Sequence, residues 1–186
     1  MNPSPLTGPA AATALLCIDV QPVFVRAVAE GPRLLRRCEF AVAAAIGLGL
    51  RVVFTEQIPA KLGGTAPGLL AAAPGANALG KDTFSALADD AIRAALAPAE
   101  HLLLCGLETP VCVYQTALDA LRDGLHVTVL SDAVGARRPD DAATCLAALR
   151  HAGAHVLPSE TVFYALLGDA RHPFFRTYTQ LVKSHG

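Results

Sequence analysis

Short runs of consecutive apolar residues alternate along this chain with longer stretches whose apolar residues recur at helical spacing. Ala14–Val20 (ALLCIDV) is nearly all apolar with no helical period, the signature of a buried strand. From Pro32 to Leu48, residues Leu34, Leu35, Cys38, Val42, Ala45 and Ile46 share one helix face, with Pro32 suited to the first turn and Gly49 to the stop. Arg51–Glu56 is the next strand. Residues 57–80, rich in Gly, Pro and Ala, have no period and predict a long loop, a feature that in compact domains is usually functional. Ser85 is placed to cap a helix over Ala86–Ala97 that Pro98 closes. His101–Gly106 then predicts a strand, Val111–Asp123 a helix, His126–Leu130 a strand, Asp140–Ala152 a helix and His155–Leu157 a strand. Ser159–Leu167 and Phe174–Lys183 predict short terminal helices.

Strands and helices that alternate this often predict an α/β domain, a parallel sheet with helices on both faces. The length of 186 residues suits one domain over 1–186, with 1–12 expected as a flexible N-terminus. In such folds ligands sit beyond the carboxyl ends of the strands, so polar residues at strand ends rank first as candidates.

An apolar fraction of 53% against 17% charged excludes a disordered chain. Net charge is −1 and no basic run occurs, so neither nucleic acid nor an anionic membrane surface is an expected partner. The N-terminal residues lack a basic leader region, and no stretch approaches the ~20 apolar residues of a spanning helix. Five cysteines without a CxxC pair or Cys/His metal spacing predict a reducing, cytoplasmic setting.

Asp19 ends the first strand, where partial desolvation suits a carboxylate to act as a base, although it could equally cap the turn before Pro22. Cys112 lies in the strand-to-helix segment Cys105–Val113. Thr109 fits an N-cap and Pro110 the first helical position, which makes Cys112 the third helical residue. A helix start favours thiolate, which predicts a lowered thiol pKa and preferential alkylation by iodoacetamide near neutral pH. The other four cysteines, Cys17, Cys38, Cys105 and Cys145, read as small core residues, and a buried thiol is the alternative for Cys112 as well. Lys81 sits at an apparent strand-to-helix junction. Of 15 basic residues only Lys61, Lys81 and Lys183 are lysines, and a compact ammonium suits a cluster with a carboxylate and a thiol. The chain has no GxGxxG after the first strand, no Walker loop, no GxSxG elbow and, from Val113 to Asp119, no Arg soon after Cys112 to clamp phosphate.

Asp19 in Leu-Cys-Ile-Asp-Val-Gln, Lys81 in Gly-Lys-Asp-Thr-Phe-Ser and Cys112 in Gly-Leu-Glu-Thr-Pro-Val-Cys-Val together resemble the isochorismatase-like cysteine hydrolase superfamily, over about Ala14 to Lys183. Thr55-Glu56-Gln57, Leu62-Gly63-Gly64-Thr65 and the tail Gly168–Pro173 resemble its isochorismatase-domain-containing subgroup. The resemblance implies a three-layer αβα sandwich around a six-stranded parallel sheet, Rossmann-like in form. It implies an Asp19–Lys81–Cys112 triad and a cis peptide between Leu107 and Glu108 that turns the Glu108 N–H beside that of Cys112 as an oxyanion hole. It also implies a homo-oligomer, a dimer or higher.

Two departures narrow the branch. The loop after the second strand, Gln57–Leu62, contains neither His nor Asp, unlike nicotinamidase-like members with their metal cluster, so no metal is expected, nor any other cofactor. Members acting on isochorismate itself lack the cysteine, so Cys112 points to the thiol-using branch. The expected activity is cysteine-dependent hydrolysis of a small amide or related acyl compound through a thioester, with Gln21, Phe24, Gln57 and Tyr114 as candidate pocket residues that serve equally well as packing. A non-catalytic binding protein on the same fold is the alternative, motivated by the 57–80 loop and the apolar tail Pro173, Phe174 and Phe175. Redox chemistry at Cys112 is a third reading, with no resolving cysteine near it in sequence.

Overall fold

The computed structural model describes residues 12–28 and 30–185. Apart from Ala12, the expected flexible N-terminal segment lies outside the described residues. Six strands, β1 (Thr13–Ile18), β2 (Arg51–Gln57), β3 (Asn77–Lys81), β4 (His101–Leu107), β5 (His126–Gly135) and β6 (His155–Leu157), form one sheet in the order β3-β2-β1-β4-β5-β6. All five pairings are parallel. The chain steps outward from β1 to β3, then returns to place β4 on the other side of β1. That reversal leaves a crevice between the ends of β1 and β4, the usual ligand position in such sheets.

Side chains alternate across the buried strands and load both faces. Leu15, Cys17, Phe54, Leu103 and Cys105 face α2 (Gly31–Gly47), α8 (Ser159–Leu167) and α9 (Phe175–His185), meeting Phe40, Ala41, Phe163 and Tyr178. The short α1 (Pro22–Ala27) and α4 (Pro67–Ala72) lie on that side through Val25 and Leu69. Ala14, Leu16, Ile18, Leu102 and Leu104 face α5 (Asp90–Leu96), α6 (Tyr114–Arg122) and α7 (Pro139–His151), meeting Ile92, Val113, Ala117 and Leu149. This is the expected three-layer αβα sandwich.

Three expectations about local structure are corrected. Residues 57–80 are not one long loop: they hold α3 (Pro59–Leu62), α4 and the edge strand β3. The strand escapes a periodicity reading because it is short and four of its five residues are exposed or half-buried, as edge strands often are. Ser85 caps no helix. Ala86–Ala88 is a single 3-10 turn, and the carboxylate of Asp89 caps α5 by accepting from the N–H groups of Ala91 and Ile92. Cys145 is half-exposed on α7, whereas Cys17, Cys38 and Cys105 are core residues as expected.

The apolar tail is used internally. Phe174 lies so close to α2 that a Cβ on Gly47 would sit 1.9 Å from its ring, and its ring centroid is 6.2 Å from that of Tyr178. The two features that motivated a pure binding protein, the unpatterned 57–80 segment and this tail, are therefore structured parts of the fold.

Candidate active site

Side chains from the carboxyl ends of three adjacent strands, with one from the segment after a fourth, converge at the crevice. Asp19 follows β1, Gln57 ends β2, Lys81 ends β3 and Cys112 follows β4. Asp19 adopts a positive φ of 52°, an uncommon conformation for a non-glycine residue, as the chain leaves the sheet. Its N–H donates to the Thr55 carbonyl at 3.0 Å, which continues the β1–β2 ladder by one rung.

Lys81 and Asp19 form a buried ion pair, Nζ to Oδ2 at 2.8 Å, with side chains 0% and 1% exposed. Burying two charges is costly unless the remaining polar atoms are satisfied, and here they are. Thr55 donates its hydroxyl to Oδ1 of Asp19 at 2.7 Å. Lys81 Nζ also donates to Gln57 Oε1 at 2.5 Å and to the carbonyls of Thr83 at 3.1 Å and Phe84 at 3.4 Å. The Cys112 sulfur lies 3.7 Å from the ammonium and 3.9 Å from Gln57 Oε1. The three residues ranked from the sequence are thus brought together.

The helix start around Cys112 differs from the expectation. Val113 N–H donates back to the Glu108 carbonyl, five residues earlier, so Thr109–Val113 form a π-type turn before α6. Glu108 occupies the cap position and supplies no side-chain cap, which makes Cys112 the fourth residue after the cap rather than the third. Thr109 does not cap the turn; its hydroxyl donates to the Gly135 carbonyl at 3.0 Å, tying the segment to the end of β5. The peptide between Leu107 and Glu108 is cis. Gly106 just before it has φ +114°, and a Cβ there would lie 2.1 Å from the Ile18 carbonyl oxygen, so only glycine lets β4 pass β1 this closely. The Glu108 carboxylate accepts from Arg137 Nε at 2.9 Å.

The thiol pKa is raised, not lowered. Burial pushes Cys112 up to about 12, reinforced by the charge of Asp19 and a hydrogen bond to it, against the lowering effects of Lys81 and the Glu108 N–H. A helix start cannot offset desolvation beside a carboxylate. Cys112 therefore holds its proton more tightly than an ordinary thiol, opposite to the effect expected of a helix start, and preferential alkylation near neutral pH does not follow.

Of the four candidate pocket residues, Gln57 reaches the cluster. Gln21 is fully buried behind it: its Oε1 accepts from the Gln57 N–H at 2.7 Å, and its Nε2 donates to the Gln57 and Gly63 carbonyls. Phe24 and Tyr114 are half-buried and pack against the two apolar faces of the sheet. Sequence reasoning missed Thr55, a buried polar residue near the end of an otherwise apolar strand, though the strand-end rule could have ranked it. It also missed the Glu108–Arg137 pair, for which linear sequence offers no signal. Among the described residues, no group of three or more His, Cys, Asp or Glu side chains is arranged to hold a metal ion.

The isochorismatase domain signature matches residues 13–161, spanning the whole of this site. The chain belongs to the isochorismatase family. Isochorismatase domain-containing protein 2 of Pongo abelii is 36% identical over 94% of this chain and 84% of its own length. The secreted isochorismatase effector Isc1 of Phytophthora sojae is 34% identical over 92% and 84%. Among solved structures, the MAR1 ribonuclease of Caenorhabditis elegans superposes with a TM-score of 0.89 at 30% identity, over 95% of this chain and 91% of that one. YcaC of Escherichia coli, described as an octameric hydrolase of unknown specificity, shares the fold with a TM-score of 0.85 at 22% identity, over 100% and 98%. This isochorismatase-family chain therefore carries a hydrolase fold. Among its described residues no helix is long and apolar enough to cross a membrane.

Proposed function

We propose that this isochorismatase-family protein is a metal-free cysteine hydrolase that cleaves a small amide or related acyl compound through a thioester on Cys112. The observation that carries this reading is the buried Asp19–Lys81 pair with the Cys112 sulfur 3.7 Å from the ammonium. Asp19 is the base: it shares the Lys81 ammonium with the sulfur, and its proximity is one cause of the raised thiol pKa. Substrate binding expels water, Asp19 takes the Cys112 proton, and the thiolate forms beside Lys81 as the sulfur attacks the carbonyl carbon. The N–H groups of Glu108 and Cys112 hold the resulting oxyanion. Collapse of the tetrahedral species breaks the carbon–nitrogen bond, and the leaving amine takes the proton back from Asp19. Asp19 then deprotonates a water that attacks the thioester, and the released thiolate recovers that proton. No external oxidant or metal is required at any step.

Screening an amide and ester library by mass spectrometry tests this, with an acyl adduct on Cys112 as the expected intermediate. A Cys112→Ala protein that retained full turnover of any hit would overturn it. A reducing, cytoplasmic setting suits the five free thiols. A homo-oligomer is part of the same reading, supported by the octameric YcaC fold and by the exposed Ile46, Leu70, Phe84 and Tyr164. Light scattering at micromolar concentration would show a dimer or larger, and a clean monomer would remove that part.

A further inference from the structure

Gln57 is engaged at every polar atom. Its backbone N–H and C=O are read by the side chain of Gln21, at 2.7 Å and 3.1 Å. Its Nε2 donates to the Asp82 carbonyl at 3.1 Å, which fixes which end of the amide faces the site. Its Oε1 then points at Lys81 Nζ, 2.5 Å away, and lies 3.9 Å from Cys112 Sγ. Gln57 is paired in register with Lys81 across β2 and β3, which brings the two side chains together at the strand ends.

An ammonium has three protons. Asp19 Oδ2, Gln57 Oε1 and the carbonyls of Thr83 and Phe84 compete for them at 2.5–3.4 Å, so the sulfur, farther off at 3.7 Å, is the weakest of the five acceptors and feels the ammonium mainly as charge. The charged groups acting on the sulfur are Asp19 at the end of β1 and Lys81 at the end of β3. A carboxylate in place of the Gln57 amide would add a second negative charge beside a thiol that must ionise. A hydrocarbon would release the ammonium from one of its anchors.

We propose that Gln57 is a positioning residue for Lys81: its neutral carbonyl holds the ammonium between Asp19 and Cys112 without adding charge to the site. This rests on the thiol-hydrolase reading and deepens it. Gln21 belongs to the same device, because it sets the backbone from which the Gln57 amide projects.

The test compares wild type with Gln57→Glu and Gln57→Leu, with folding followed by near-ultraviolet circular dichroism. Iodoacetamide alkylation of Cys112 is mapped by mass spectrometry from pH 7 to 10, and acylation by p-nitrophenyl acetate is followed as a burst. Gln57→Glu should alkylate Cys112 about tenfold more slowly at pH 8, as expected for one unit of added thiol pKa. Gln57→Leu adds no charge but loosens the ammonium, so its alkylation should slow less than that of Gln57→Glu while its acylation rate falls about tenfold with KM unchanged, the mark of lost positioning. Wild-type behaviour of either folded variant in its own assay overturns the assignment. If Gln57→Glu does not fold, Gln57→Leu decides alone; if neither folds, Gln21→Met must show the same drop in acylation at constant KM. Failure of wild type to acylate at Cys112 defeats the underlying hydrolase reading instead, and the alkylation comparison distinguishes that outcome.

Discussion

Thr55 donates its hydroxyl to Oδ1 of Asp19 at 2.7 Å, so the carboxylate that faces Lys81 with one oxygen is held from behind by the other. Both residues are essentially inaccessible to solvent. Thr55→Val keeps the shape and removes the donor, leaving a buried carboxylate oxygen without its partner. The expected loss is about 1.5–3 kcal/mol, the range for hydrogen bonds to charged groups. Urea unfolding measures it, and hydrolysis of any identified substrate should fall with it.

Lys81→Met should destabilise more, by roughly 3–5 kcal/mol, because it strands a charged Asp19 in the core. The double variant Asp19→Asn with Lys81→Met should recover a large part of that loss while remaining inactive. A double-mutant cycle in denaturant separates the two contributions.

Gly106→Ala meets both a positive φ and the Ile18 carbonyl at 2.1 Å. The cost should exceed the ~1 kcal/mol of an ordinary conformational mismatch, because backbone cannot yield as a flexible side chain would. Thermal unfolding should show a drop of many degrees, or no folded protein in the soluble fraction.

Alkaline stability reports on Cys112. Its folded pKa is raised to about 12 from an ordinary value near 9, so the protonated fold holds its proton longer than the unfolded chain does. The stabilisation is therefore full below about pH 9 and is lost as pH rises toward 12, at a limiting slope of ~1.4 kcal/mol per pH unit. Cys112→Ala should lose less stability than wild type between pH 9 and 11 in chemical denaturation at each pH.

Arg137 reaches the loop that carries the Glu108 N–H through the Glu108 carboxylate at 2.9 Å. Arg137→Ala should slow acylation of Cys112 several-fold and cost about 1 kcal/mol or less in stability, since the arginine is 63% exposed. Burst kinetics against denaturant unfolding reveal that split.

The sequence by itself determined the layer architecture, because buried parallel strands must be continuous apolar runs and the covering helices must be amphipathic. It also ranked Asp19, Lys81 and Cys112, since strand ends in such a sheet face the ligand crevice, and residue types in those flanks resemble one family. It did not reveal β3, whose exposed edge position leaves no apolar pattern, nor Asp89 in place of Ser85 as the cap of α5. Only the tertiary structure decided the state of Cys112: burial and the proximity of Asp19 outweigh the helix start that local sequence suggested. It also separated Gln57, which anchors Lys81, from Gln21 behind it, and it gave Thr55 and Arg137 their contacts. Each of those effects depends on side chains far apart in the chain meeting in a low-dielectric crevice, and linear spacing carries no record of that distance.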